Sequence, residues 1–412
     1  MPSTSSSEIE PRPVRALYLA RVNRDHPGNL GVIRKCTDQV AAFRQLGFDM
    51  DLCWLCQDGL LLNEDRVASF PSFLLRRPLV KAFFFLLAYH PLLRRSIDFS
   101  RYSLFYIRYE LGHPAFLRTL RHIRRVAPAG RIVLEIPSWP YDREAKGLLM
   151  RMAVRLDRRS TPALPPLVDL FTCYGSQVSD IFGRPALTLR NGIDPFRLPL
   201  RQPRPPAPPL RLLGIGNWQF WHGIDRLLHG IARFRARPDY RPVSLTLAGT
   251  GAALSEWKSL AHRLDIADLV RFLPPADGPD LDALFNEADL GIGTLAIHRK
   301  GLGLDSSLKH REYAARGLPF FLAGRDPDFP SSLPWVLRCP ANDDPVEVDS
   351  LFGFHQACGQ ADCLAAEISW YARAHLTWEQ QLRRMLLPAL NLLLPRHPAG
   401  ADRPDHRPSR AE

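Results

Sequence analysis

The sequence predicts an α/β protein built from two Rossmann-like, doubly wound domains that face each other across a cleft. Three observations carry this reading. A strand–glycine loop–helix–strand order opens the chain at Val14 and restarts near Arg211. A proline-dense stretch without period, Pro195–Leu210, separates the two runs. The 412 residues exceed one ordinary domain and suit two of about 180 residues each. The expected boundaries are a disordered tail at 1–13, a first domain at 14–192, a linker at 193–210 and a second domain at 211–376. A C-terminal helix at 377–395, placed to cross back to the first domain, and a polar tail at 396–412 complete the chain.

Val14–Ala20 is a short apolar strand, followed by a loop that carries Gly28, Asn29 and Gly31. A helix over about 32–46 follows, with Ile33, Val40, Phe43 and Leu46 at helical spacing, and Phe48–Leu55 is the next strand. Residues 70–95 are the most apolar part of the chain, and Pro78 and Pro91 divide them into short helices. An aromatic and leucine surface edged by Arg76, Arg77, Lys81, Arg94 and Arg95 suits an anionic membrane surface. It equally suits core helices with snorkelling arginines. Leu104–Tyr109, Ile132–Ile136, Val168–Tyr174 and Ala186–Leu189 read as further strands, with a helix at Pro114–Arg125.

In the second half, Leu212–Ile215 leads into a helix with Ile224, Leu227, Leu228, Ile231 and Phe234 on one face. Strands follow at Val243–Ala248, Val270–Leu273, Leu290–Leu295 and Phe320–Leu322, each separated by a helix or a glycine turn. Thr377–Gln380 has capping-box spacing and starts the last helix, which Pro388 should kink.

Net charge is +12, carried mostly by arginine. That permits anionic partners and selects none, and no aromatic–basic interleaving supports nucleic acid. Cys53 and Cys56 have CxxC spacing at a strand end, but no second pair completes a zinc site, so a buried structural pair is expected. The N-terminus lacks the character of a signal peptide, and no apolar run is long enough to span a bilayer. A cytoplasmic location is expected, with 70–95 as the contact if the protein docks on the inner face of the cell membrane.

The chemistry concentrates at Gly301–Leu322, where a glycine-rich loop runs into a helix capped by Ser306 or Ser307 and closed by Gly317 and Pro319. Lys309, His310 and Arg311 fall in its first turn, where the helix dipole disfavours cations. A bound anion held by the free N–H groups removes that conflict. A second helix start, at His222–Gly223, repeats the pattern; together the two ends suit a diphosphate, and Glu312 suits a ribose diol. On the first domain, Glu135, Tyr141 and Asp142 follow a strand's carboxyl end and are candidate polar site residues.

The second half resembles the family-4 retaining glycosyltransferases of the GT-B type over nearly its whole length. Asn191–Asp194 (NGID) looks like that family's turn before the linker, and Gly216–Asp225 (GNWQFWHGID) like its G-R-x(4)-K-G-(I/V)-D segment. Leu247–Gly251 is similar to its strand–GxG turn, Val270–Phe272 to its V-x-F strand, and Glu312–Pro319 to E-A-x-A-x-G-x-P. The form S-x-L-K-x-R-E-Y over Ser306–Tyr313, with Glu135–Asp142 (EIPSWPYD), resembles transferases that build bacterial surface polysaccharides. In the first half only this run and Gly31–Lys35 align.

The resemblance implies a GT-B fold and retaining, metal-independent transfer of a sugar from a nucleotide-sugar to a glycan or lipid-linked acceptor, with no cofactor. It implies catalytic roles for His222, Lys309 and Glu312 and donor binding by Gly216, Asn217, Gly223, Gly249, Gly251, Ser306, Ser307 and Leu308. Gly31, Glu135, Tyr141 and Asp142 would face the acceptor. Two departures stand out. The family's arginine and lysine for the donor phosphates fall on Asn217 and His222, and the earlier of its two glutamates falls on Leu304, with Asp305 the nearest carboxylate. The alternatives are a non-transferring relative, such as a sugar-nucleotide epimerase or hydrolase, and a non-enzymatic nucleotide-sugar binder.

Overall fold

A computed structural model describes residues 13–141, 148–175, 177–202, 205, 207–359 and 363–394. It contains two sheets. The first runs β1 (Val14–Asn23), β2 (Phe48–Cys56), β3 (Gly59–Leu62), β4 (Asp65–Ser69), β5 (Leu104–Arg108), β6 (Arg131–Ile136), β7 (Leu170–Tyr174), β8 (Asp180–Ile181) and β9 (Arg184–Leu189). The second runs β10 (Leu210–Asn217), β11 (Val243–Thr250), β12 (Val270–Leu273), β13 (Leu290–Ile292), β14 (Phe320–Ala323) and β15 (Val336–Cys339).

The first sheet has the order β4-β3-β2-β1-β5-β6-β7-β9-β8, parallel through its centre, with antiparallel hairpins β2–β3–β4 and β8–β9 at its edges. The second is parallel throughout, in the order β12-β11-β10-β13-β14-β15. The central strands are buried on both faces, which is why they read as continuous apolar runs rather than alternating ones. The helix Ile224–Arg235 shows how sequence spacing becomes packing: Ile224, Leu227, Leu228, Ile231 and Phe234 are all buried against the second sheet.

Residues 70–95 form the short helices Phe73–Arg76, Pro78–Phe83 and His90–Ser96, the last two joined by a π-helical turn over Phe84–Tyr89. Pro78 and Pro91 sit in the first turns of their helices, where a missing N–H costs nothing. The segment is divided in its burial: Phe84, Tyr89 and Leu93 enter the core, while Phe73, Leu79, Phe83 and Leu87 stay exposed. The seven cysteines, Cys53 and Cys56 among them, are free thiols, and all but Cys339 and Cys363 are buried.

The connection after Asn191 is not a free spacer. Ile193 bridges Thr377, and Arg201 donates to the carbonyls of Gly317 and Ala288, which lays the chain along the second domain. The C-terminal helices Trp378–Met385 and Leu387–Leu393, broken just before Pro388, return to the first domain. Trp378, Leu382, Leu386 and Leu390 share a core there with Tyr18, Val40, Phe43 and Tyr106.

Candidate functional site

Between the sheets lies a cavity of about 520 Å³, lined from both sides by the carboxyl ends of strands. The first domain contributes Pro27, Gly28, Leu30 and Gly31 after β1, Arg34, Pro137 and Ser138 after β6, and Tyr174 at the end of β7. The second contributes Ile215 to Asn217, His222, Ala248 to Thr250, Lys300 and the run from Asp305 to Lys309, with Glu312. A larger hollow, about 680 Å³ over Trp335, Trp370 and Tyr371, shares no residue with it.

The glycine turns shape the cavity floor. A Cβ on Gly249 would meet the Gly216 carbonyl at 1.9 Å, and one on Gly251 the Trp218 carbonyl at 2.1 Å, and both glycines have φ near +140°. Gly251 and Gly223 therefore support the site by backbone packing and do not line it, whereas Gly216, Asn217 and Gly249 do.

The site helix is Leu308–Arg316, with Ser307 at the N-cap. Ser307 makes no side-chain cap, and Ser306 Oγ instead accepts from the Asn191 N–H at 2.8 Å, tying the loop to the inter-domain crossing. The three basic residues of the first turn part company. His310 Nδ1–H donates to Asp326 Oδ2 at 2.9 Å, while its Nε2 accepts from the Thr294 N–H at 3.2 Å. Arg311, fully buried, pairs with Asp326 and Asp328. Burial would raise the Asp326 carboxyl, but Arg311 and His310 outweigh it and hold it down to about 2. The conflict with the dipole is thus answered for Arg311 by internal carboxylates, and it does not arise for His310, whose Nε2 is an acceptor; neither needs an anion.

Lys309 is the exception. It is 7% exposed, its Nζ lies 4.5 Å from the Trp218 ring centroid, and among the described residues no hydrogen-bond partner reaches it. Burial pushes its pKa down to about 7, with Asp305 opposing weakly. An unpartnered buried ammonium lining a cavity marks the place of an absent negative charge.

His222 does not supply a second cation. Its Nδ1 accepts from the Gln219 N–H at 2.8 Å, leaving the proton on Nε2. Burial, then Lys309 and Lys300, holds its pKa well below the ordinary imidazole range. It lines the cavity as a neutral donor, which corrects the expectation of a cation. Lys300, unremarked in the sequence, also lines the cavity, over the Trp221 ring and donating to Ser138 of the other domain at 2.9 Å.

Leu304 bridges Arg325 and leaves the cavity to its neighbour. Asp305 lines it, with Oδ2 buried and without a hydrogen-bond partner among the described residues, so a carboxylate does stand beside Lys309. Glu312 Oε1 accepts from Arg34 at 3.1 Å and from Arg316 at 3.3 Å.

The acceptor-side expectations fare unevenly. Gly31 lines the cavity. Glu135 does not face it: fully buried, it pairs with Lys35 at 3.2 Å and Arg108 at 2.8 Å and accepts from Gln39, Tyr106 and Tyr174. Burial would raise its pKa, but the two cations hold it down to about 2. Alternation along β6 points Glu135 into the core, whereas the following loop delivers Pro137 and Ser138 to the cleft. Tyr141 is turned away as well, donating to buried Asp157 behind the cleft. Asp142 lies outside the described residues. Among the described residues no group of histidines, cysteines and carboxylates has metal-ligand geometry, and no helix is long and apolar enough to cross a membrane.

This architecture matches solved GT-B glycosyltransferases across almost the entire chain. The sucrose-phosphate synthase of Thermosynechococcus elongatus superposes with a TM-score of 0.61 at 14% identity, covering 92% of this chain and 99% of that one. Anabaena HepE in complex with UDP-glucose gives 0.53 at 16% identity, covering 91% and 99%. A glycogen synthase of Mycobacterium tuberculosis is 30% identical over 157 residues, which span 36% of this chain and 36% of the synthase. No family model matches the chain. The chain has the GT-B fold.

Proposed function

We infer that this protein is a retaining, metal-independent glycosyltransferase that moves a sugar from a nucleotide-sugar to a hydroxyl of a glycan or lipid-linked acceptor, in surface or exopolysaccharide synthesis. One observation carries the reading: the unpartnered Lys309 ammonium at the uncapped start of the site helix, inside the cleft of a GT-B fold. In the reaction, the bond from the anomeric carbon to the β-phosphate oxygen breaks and its electron pair stays on the diphosphate. The acceptor oxygen bonds to the anomeric carbon, and its proton passes to the departing phosphate. Lys309, the first-turn N–H groups of the site helix and the His222 Nε2–H stabilise the growing phosphate charge. Glu312 binds the ribose diol and Asp305 accepts from a donor hydroxyl. Retention and the polysaccharide role rest on the motif resemblance, and the nucleotide donor is favoured by UDP-glucose in the HepE complex.

The test is a panel of nucleotide-sugars with and without acceptor glycan or lipid, reading released nucleoside diphosphate. Acceptor-dependent release is expected. Release from no donor would sink the reading, and release indifferent to acceptor would replace it with a hydrolase or epimerase. Docking on an anionic membrane is supported by exposed Phe73, Leu79, Phe83 and Leu87 beside exposed Arg76, Arg77 and Lys81. Flotation with anionic vesicles at low salt should carry the protein upward; protein left at the bottom removes this part.

A further inference from the structure

Glu312, which the reading above assigns to the donor ribose, is already engaged from the other side of the cleft. Arg34, on the helix Leu30–Gln45 of the first domain, donates Nη1–H to Glu312 Oε1 at 3.1 Å. Arg316 donates to the same oxygen, but it is buried and also held by Asp282. Arg34 is the movable member: its side chain is 40% exposed, and a half-exposed ion pair holds weakly. A vicinal diol spans both oxygens of a carboxylate, so a ribose on Glu312 displaces Arg34 rather than Arg316.

The cleft is also short of charge for what it is inferred to bind. A diphosphate brings more negative charge than Lys309 and Lys300 supply once Asp305 is counted against them, His222 is neutral and Asn217 has no charge. Arg34 lines the same cavity as Lys309 and presents a planar fork of donors suited to phosphate oxygens.

We propose that Arg34 is a donor-phosphate ligand stored on Glu312 until the donor binds, and that ribose binding to Glu312 releases it to the diphosphate. The exchange transfers one cation from a carboxylate of the second domain to the ligand, so the first domain engages the donor only after the ribose is seated. This rests on the donor site proposed above.

The test compares Arg34→Gln with wild type in binding adenosine, guanosine, uridine and their diphosphates by calorimetry. The nucleoside reads the Glu312–ribose contact alone, and the diphosphate reads both. Arg34→Gln should bind the nucleoside two- to fivefold more tightly, because its competitor is gone, and the diphosphate at least tenfold more weakly. Arg34→Lys should recover part of the diphosphate affinity. A diphosphate-to-nucleoside affinity ratio unchanged in Arg34→Gln overturns the proposal, as does equal weakening of both ligands. If the wild type shows no preference for diphosphate over nucleoside, the donor site itself is wrong. If it does, and Lys309→Met abolishes the preference while Arg34→Gln keeps it, only the role of Arg34 fails.

Discussion

Replacing Lys309 by methionine separates folding from function at this site. Methionine keeps the length and apolar stem of lysine and removes the ammonium. Without an anion beside it that ammonium is a liability, since burial lowers its pKa from 10.5 to about 7. Because the folded-state pKa is depressed, the unfolded chain holds the proton more tightly, and keeping Lys309 buried at pH 7 costs on the order of 4 kcal/mol. This penalty is largest below pH 7 and fades as pH rises towards 10.5. Lys309→Met should therefore melt no lower than wild type at pH 7, and higher if the neighbouring packing adjusts. Catalysis should move the other way. A buried contact to a developing phosphate charge is worth about 2–4 kcal/mol in the barrier, so turnover should fall roughly 30- to 1,000-fold. Thermal melts and steady-state release of nucleoside diphosphate measure the two effects on one preparation. Turnover within threefold of wild type refutes the assignment. A lowered melting temperature refutes the claim that the ammonium is unpartnered.

The same lysine sets a pH dependence: a diphosphate binds the protonated form, so its affinity should fall as pH rises through about 7, by up to tenfold per unit, and Lys309→Met should flatten the profile measured by calorimetry. Glu135→Ala strands Lys35 and Arg108 in the core of the first domain and should cost about 3–5 kcal/mol in urea unfolding, where a residue facing the acceptor would cost almost nothing. Asp326→Asn removes the shared partner of His310 and Arg311 and should destabilise the second domain by a similar 3–5 kcal/mol; a loss below about 1 kcal/mol would contradict the pairing.

The order of strands and the position of the cleft were legible because apolar runs, glycine turns and helix stops are local signals. The hairpin β2–β3–β4 was not: Gly59–Leu62 and Asp65–Ser69 are short edge strands whose pairing depends on β2 and not on their own period. In the site, the basic first turn points to a helix that lines the cleft, for a reason that holds for one residue in three. Its sequence neighbours are held by Asp326 and Asp328, which lie beyond the next strand, and no spacing rule couples them. Glu135 misled for a related reason. A carboxylate near a strand end resembles a ligand until alternation is counted, and the buried cations that hold it come from β5 and from the helix Leu30–Gln45. Lys300 and Arg34 carried no local signal, since their importance comes from reaching across the cleft.

The return of the C-terminal helices into the first domain has a consequence for engineering. Residues 377–394 belong by packing to a unit whose other residues end near 192, so the first domain is not a contiguous cassette, whereas the second is. Exchanging the second domain with that of another GT-B protein requires splicing 193–376 alone, with both junctions placed at the paired Ile193–Thr377 crossing. A chimera joined only once, at the proline-rich stretch, would leave Tyr18, Val40 and Phe43 without the Trp378–Leu390 face that covers them, and it should aggregate before its chemistry can be assayed.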